Sequence, residues 1–207
     1  MASGIEITRP QLVLVEGKDD KHFCIALSER RLLPEVQFME YGGKTNLSSF
    51  VHTLVRLPKF SDVRGLAVIR DADDNWTGAF QSITAALNRA GLPVPKSELA
   101  PATSGVITTV AFVLPGNGVT GELEDCLLQS VANHPYLAIV ENFIKDVEQS
   151  KGAPLSERSK SKLRSFMAVQ DPCHVLVGAS AKAGIFPLDH LAFAGIEKLI
   201  RIICQQP

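Results

Sequence analysis

Two acidic positions stand where a folded chain could bring them together. Glu16 directly follows the apolar run Leu12-Val-Leu-Val15, the chain turns at Gly17, and two more carboxylates, Asp19 and Asp20, follow. Asp71 closes a second strand-like stretch, Gly65 to Arg70, and opens the turn Asp71-Ala-Asp-Asp-Asn75. Nothing in folding asks for a carboxylate straight after four aliphatic residues. Carboxylates drawn together repel, so such a cluster is costly unless a cation neutralises it. Oxygen-only ligands suit a hard cation, Mg2+ or Mn2+. The plainer use of Asp71, Asp73 and Asp74, taken singly, is to form Asx turns and cap the next helix.

The elements that must position these acids read as follows. Strands are predicted at 11–16, 36–41, 65–70 and 106–114, the first and third continuously apolar, as in a sheet buried on both faces. Helices are predicted at 19–31, from Thr45 or Asn46 to about 56, and at 77–90, 121–132, 135–150, 156–169 and 189–204. Residues 92–105 read as a Pro-, Ser- and Ala-rich loop, and 171–188 carry no clear pattern. Strand–helix alternation over the first 114 residues implies an α/β fold, with about four parallel strands, right-handed crossovers and helices on both faces. Residues 1–130 then form the α/β core, and 131–207 a helical part packed on it within one compact domain. Ligands bind at the carboxyl ends of parallel strands, which is where Glu16 and Asp71 lie. Asp73 points the same way as Asp71 if the chain between them stays extended.

Val15-Glu-Gly17 after one strand and Asp71-Ala-Asp73 after another resemble the Toprim domain of topoisomerases, bacterial primases and related nucleases. The longer string Val15-Glu-Gly-Lys-Asp-Asp20 with Phe23, and Gly42-Gly-Lys-Thr-Asn-Leu47, look most like the stand-alone and OLD-type branch of that superfamily. The resemblance covers residues 11–130 well and the rest weakly. It implies a Rossmann-like core and a Mg2+-dependent nuclease acting on DNA or RNA, in which Glu16 binds metal or alternatively serves as general base or acid. It further implies that Asp20 binds metal and that Glu124, in Gly121-Glu-Leu-Glu-Asp125, completes a second metal site. Glu122 takes a position where that branch often has serine. A later lysine assists cleavage there, and Lys162 matches it. Each has a plainer reading: acids in a helix's first turn are favoured by its dipole, and a lysine on a helix is usually a solvated face.

Other signals are weaker. Lys44 follows Gly43, but a phosphate loop of Walker type needs glycine where Phe38 stands. Lys44 and Lys18 remain within reach of a phosphate. The histidines at 22, 52, 134, 174 and 190 show no metal spacing, and Trp76 reads as a roof on the core. Cys24, Cys126 and Cys204 sit among apolar residues, as buried free thiols of a reducing, cytoplasmic compartment do. The N-terminus has no basic-then-apolar leader pattern, and no apolar run is long enough to span a membrane. A formal charge of -1 argues against a protein that coats nucleic acid by charge alone. It leaves room for an enzyme that meets phosphate through a metal, and for a non-catalytic Toprim-like binding protein working with a protein partner. A haloacid-dehalogenase-like phosphotransferase wants its Asp-x-Asp after the first strand, where this chain has Glu-Gly.

Overall fold

The structure is a computed structural model that describes residues 5–205. Residues 1–4 and 206–207, including the start of the stretch read above for a leader, lie outside the described residues. The chain runs β1 (Gln11–Val15), α1 (Lys18–Arg30), β2 (Gln37–Glu40), α2 (Leu47–Leu54), β3 (Gly65–Asp71) and α3 (Trp76–Arg89). It continues through β4 (Ala102–Ser104), β5 (Ile107–Leu114), α4 (Leu123–Ser130), α5 (Pro135–Lys151), α6 (Arg158–Ala168), α7 (Val177–Lys182) and α8 (Ala194–Cys204). The strands form one sheet in the order β2-β1-β3-β5-β4. β1, β2, β3 and β5 pair in parallel, and β4 is antiparallel to β5. This is the expected Rossmann-like α/β architecture.

Alternation along the buried strands sorts the core into two layers. Leu12 and Leu14 of β1, with Leu66 and Val68 of β3, face α2 and α3. Val13, Val15, Ala67 and Ile69 face the other side, where α1, α4, α6 and α8 cover them. α8 lies against β3, β5 and β1, so the last helix of the chain helps to close the layer over the sheet.

That closure depends on Gly195, the second residue of α8. A Cβ built on it would stand 2.1 Å from the ring of Phe112 in β5. Phe112 is itself only 3% exposed and has little room to yield. Gly195→Ala is therefore expected to lower stability by roughly 1–3 kcal/mol through overpacking. At this chain length that is a fall in Tm of roughly 3–10 °C by differential scanning calorimetry. An unchanged Tm would mean that α8 does not approach the sheet so closely.

Several local expectations need correction. Residues 102–104, read as loop, form β4, a short hairpin partner turned by Gly105 at φ +59° and joined side to side by Thr103 and Thr108 hydroxyls 2.8 Å apart. The unassigned stretch 171–188 contains α7, where Gly178 lets the helix lie on the backbone of His22 in α1. α8 starts at Ala194 rather than 189, after a single 3-10 turn over Leu191–Phe193. Asn46 precedes α2, but its side chain donates to the Gly42 carbonyl instead of capping. Of the cysteines, Cys24 and Cys126 are buried, Cys204 is half-buried and Cys173 exposed, all four as free thiols. Trp76 stacks on Phe80 (5.6 Å between centroids) against the α2/α3 layer of the core. Among the described residues no helix is long and apolar enough to cross a membrane.

Candidate metal centre

The carboxyl ends of β1, β3 and β5 gather the acids, as the parallel topology demands. Glu16 comes one residue after β1, and its carbonyl accepts the amides of Gly42 (3.0 Å) and Gly43 (3.1 Å). Those two glycines, at φ +79° and +104°, make a turn that other residues rarely adopt. Continuing the β1–β3 register by two residues sets Glu16 beside Arg70, on the side of α2 and α3. Burial raises the Glu16 carboxyl above its usual range; the Arg70 charge opposes this, Asp73 adds to it, and the Lys44 amide and ammonium draw it down. Its Oε2 is buried and meets no hydrogen-bond partner. Arg70 donates from Nη1 to Ser82 Oγ at 2.6 Å, while its Nε is buried and unpartnered. Sequence reasoning did not single out Arg70; its place next to Asp71 in β3 was the available signal.

Asp71 faces the opposite layer. Its Oδ1 accepts the amide of Leu123, the first residue of α4, at 3.1 Å. One carboxylate oxygen each of Asp71, Glu122 and Glu124 can be chosen so that all lie within 4.8 Å of one another. Glu122 caps α4 by position, and its amide donates to Asp125 Oδ2 at 2.9 Å. The start of α1 is built in the same way: Asp20 Oδ2 accepts the Gly17 amide at 2.8 Å, so Asp20 is at once a cap and a wall of the site. Burial pushes Asp20 up to about 6, with Glu16 adding to it. Burial and Glu122 push Glu124 up to about 7. Asp71 is raised well above the usual carboxylate range by burial first, then by Asp20, Glu124, Glu16 and Glu122.

Asp73 departs from expectation. Its backbone turns at φ +50° and exchanges both hydrogen bonds with Gly121 (2.9 and 2.8 Å), so the chain past Asp71 is not extended. Its carboxylate adds negative charge near Glu16 and pairs with Lys44 Nζ at 3.0 Å.

The acids open on a cleft of about 570 Å³ lined by Glu16, Asp20, Asp71 and Glu124, with Lys18 from α1 and Lys160 and Arg164 from α6. Lys162 does not line it. Its Nζ is 2.7 Å from Glu141 of α5. Residues 160 and 164 are one helical turn apart and share a face, whereas 162 is turned well away from them. Lys160 instead meets Glu122 at 3.2 Å. Burial works against its charge, but the Glu122 carboxylate wins and pushes it up to about 12. A larger groove of about 900 Å³ beside Glu29, Arg30 and Lys182 shows no such convergence. Two of its cations are already paired, Lys182 with Glu29 and Arg31 with Glu197, each at 2.9 Å.

The donor set fits a hard divalent cation. It is all oxygen, several of its carboxyls are raised by mutual repulsion and burial, and one buried oxygen has no protein partner.

The fold recurs in solved structures. A hypothetical protein of Pyrococcus horikoshii OT3 is similar over 95% of this chain and 96% of its own, with 16% identity and a TM-score of 0.63. The C-terminal region of the Burkholderia pseudomallei OLD protein is similar over 96% of this chain and 98% of its own, with 15% identity and a TM-score of 0.54. At these identities the likeness is one of fold. No curated protein matches the chain. Residues 10–204 match the family model described as "Protein of unknown function (DUF3226)", and the chain belongs to that family.

Proposed function

We propose that this chain is a Toprim-type, Mg2+- or Mn2+-dependent nuclease that hydrolyses phosphodiesters in DNA or RNA. The observation that carries the reading is the approach of Asp71, Glu122 and Glu124 oxygens to within 4.8 Å at the carboxyl end of the sheet. Asp71, Glu122 and Glu124 would hold one cation, and Glu16 and Asp20, which line the same cleft, would border a second. A bound cation would supply Lewis-acid polarisation of the scissile phosphate and offset the charge that builds on it. The protein supplies the rest. Glu16, whose Oε2 has no protein partner, would take a proton from the attacking water when it is not itself a cation ligand. Lys160 holds a positive charge over the cleft and steadies the phosphate and leaving oxygen. On this reading residues 131–207 are an extension whose α6 furnishes the cationic wall of a site otherwise built by residues 1–130. With a net charge of -1, delivery of substrate falls to local contacts or a protein partner.

The test is nicking of supercoiled plasmid with Mg2+ or Mn2+, comparing Glu16→Gln, Asp71→Asn, Lys160→Met and Lys162→Met. The first three are expected to slow nicking by about tenfold to a thousandfold, as loss of a ligand, base or charge clamp does. Lys162→Met is expected to stay within about threefold, since it loosens only a partly exposed α5–α6 ion pair. Equal losses at 160 and 162 would contradict the assignment. Neither nicking nor cation binding by calorimetry would leave a Toprim-like binding protein.

A further inference from the structure

We infer that Arg164 and Lys18 grip phosphates flanking the reacting one in a single-stranded nucleic acid, and that Val175 and Leu176 beside them meet its sugars and bases. This rests on the nuclease reading and names its substrate form. α6 carries a cation at every second position from 158 to 164. Two of them are spent on α5: Arg158 reaches Glu141 at 2.7 Å and Glu148 at 3.2 Å, and Lys162 reaches Glu141 at 2.7 Å. On the other face Lys160 is held by Glu122. Arg164, one turn further on, lines the cleft, yet among the described residues no carboxylate lies within ion-pairing distance of it. Lys18, the first residue of α1, lines the cleft from another wall and is likewise unpaired among the described residues. Both are exposed where they line the cleft, and neither is ion-paired to the acids that line it among the described residues. A guanidinium and an ammonium so placed suit anions that stay outside the cation site, which in a nucleic acid are the neighbouring phosphates.

The second observation separates a strand of nucleic acid from a free phosphate or an acidic peptide. Val175 and Leu176 are 75% and 61% exposed. They immediately precede Val177, which lines the same cleft. An apolar pair beside unpaired cations matches a ligand that alternates charged phosphates with apolar sugar and base faces. Base faces are free to meet such an apolar pair only when the strand is unpaired.

The experiment compares wild type, Arg164→Ala and Leu176→Ser with Mn2+ on three substrates: bis(p-nitrophenyl) phosphate, a single-stranded oligonucleotide of about 20 residues, and its duplex. Wild type is expected to prefer the single strand. Arg164→Ala should raise KM on that strand about tenfold and reduce the slope of log(kcat/KM) against log salt by about 0.7, the value for one released phosphate contact. Its loss on the small diester should be several-fold smaller. Leu176→Ser should raise KM with the salt slope intact. Equal losses on diester and strand, an unaltered salt slope in Arg164→Ala, a duplex cut as readily as the single strand, or inhibition by polyglutamate as strong as by the oligonucleotide would each overturn the inference. If wild type hydrolyses none of the three substrates, the nuclease reading fails instead. Fluorescence anisotropy of the labelled strand with the same variants then decides the grip by itself: weaker binding with the reduced slope supports it, and equal binding overturns it.

Discussion

Replacing Asp71 by Asn is expected to make the metal-free protein more stable while slowing Mg2+-dependent nicking by about a hundredfold or more. The two effects have one cause. Asp71 is buried among Asp20, Glu124, Glu16 and Glu122, all of which raise its carboxyl. Above the ordinary carboxylate range the folded chain must either hold these charges together or keep protons that the unfolded chain has released, and without a cation either one weakens the fold. Asn keeps the shape and keeps an oxygen for the Leu123 amide, so the start of α4 remains tied to β3. What disappears is one buried charge and one ligand. In EDTA at pH 8 the variant should melt above wild type; with Mg2+ the wild type should gain and the variant should gain much less. The neighbouring Glu124 gives the scale. Its carboxyl, pushed up to about 7, corresponds to roughly 3 kcal/mol of strain in the ionised form. A variant less stable than wild type in EDTA would make Asp71 a structural anchor of α4 rather than part of a strained charge cluster. This coupling of a stabilising substitution to lost function is common at preorganised sites.

What was legible in the sequence follows from period and order. Buried parallel strands announce themselves as continuous apolar runs, and topology then sends Glu16 and Asp71 to one edge. Asp20 both caps the start of α1 and lines the cleft, because the first turn of α1 lies at that edge. What was not legible depended on torsions and helix phase. The orientation of Asp73 turns on the sign of φ at a single residue and on its backbone pairing with Gly121, distant in sequence though adjacent in space. The choice between Lys160 and Lys162 depends on which flank of α6 meets α5, and four evenly spaced cations look alike until Glu141 and Glu148 are placed. Glu122 read as a helix-start acid, and it is one, but that start points at Asp71. β4 and α7 are three and six residues long, too short for periodicity to register, and each exists because a glycine allows a tight turn or close contact.

The acidic cluster also fixes the sign of the protein's response to pH. Asp20 and Glu124 hold their protons more tightly folded than unfolded, up to about 6 and about 7. Between the ordinary carboxylate range and those values the folded chain binds more protons than the unfolded one, so metal-free stability must fall as pH rises through that window. Glu141 acts in the other direction and elsewhere. Its hydrogen bonds from Arg158 and Lys162 lower it to about 2, so its contribution is present above the ordinary range and is lost only as pH falls towards 2. Metal-free protein should therefore melt highest near pH 5 and lower at pH 8. On the proposed reading Mg2+ should invert the upper part of that profile, because it would bind the deprotonated cluster and compete with protons for it. At about 100 times its Kd, Mg2+ adds roughly 2.7 kcal/mol, which is a Tm gain of roughly 5–10 °C for a chain of this size. The gain should be largest at pH 8 and small at pH 5.5, and Asp71→Asn should flatten the profile in EDTA. Thermal melts across that range, with EDTA or Mg2+, read all of this directly. A flat EDTA profile, or a Mg2+ gain independent of pH, would mean that these carboxyls neither strain one another nor share a cation.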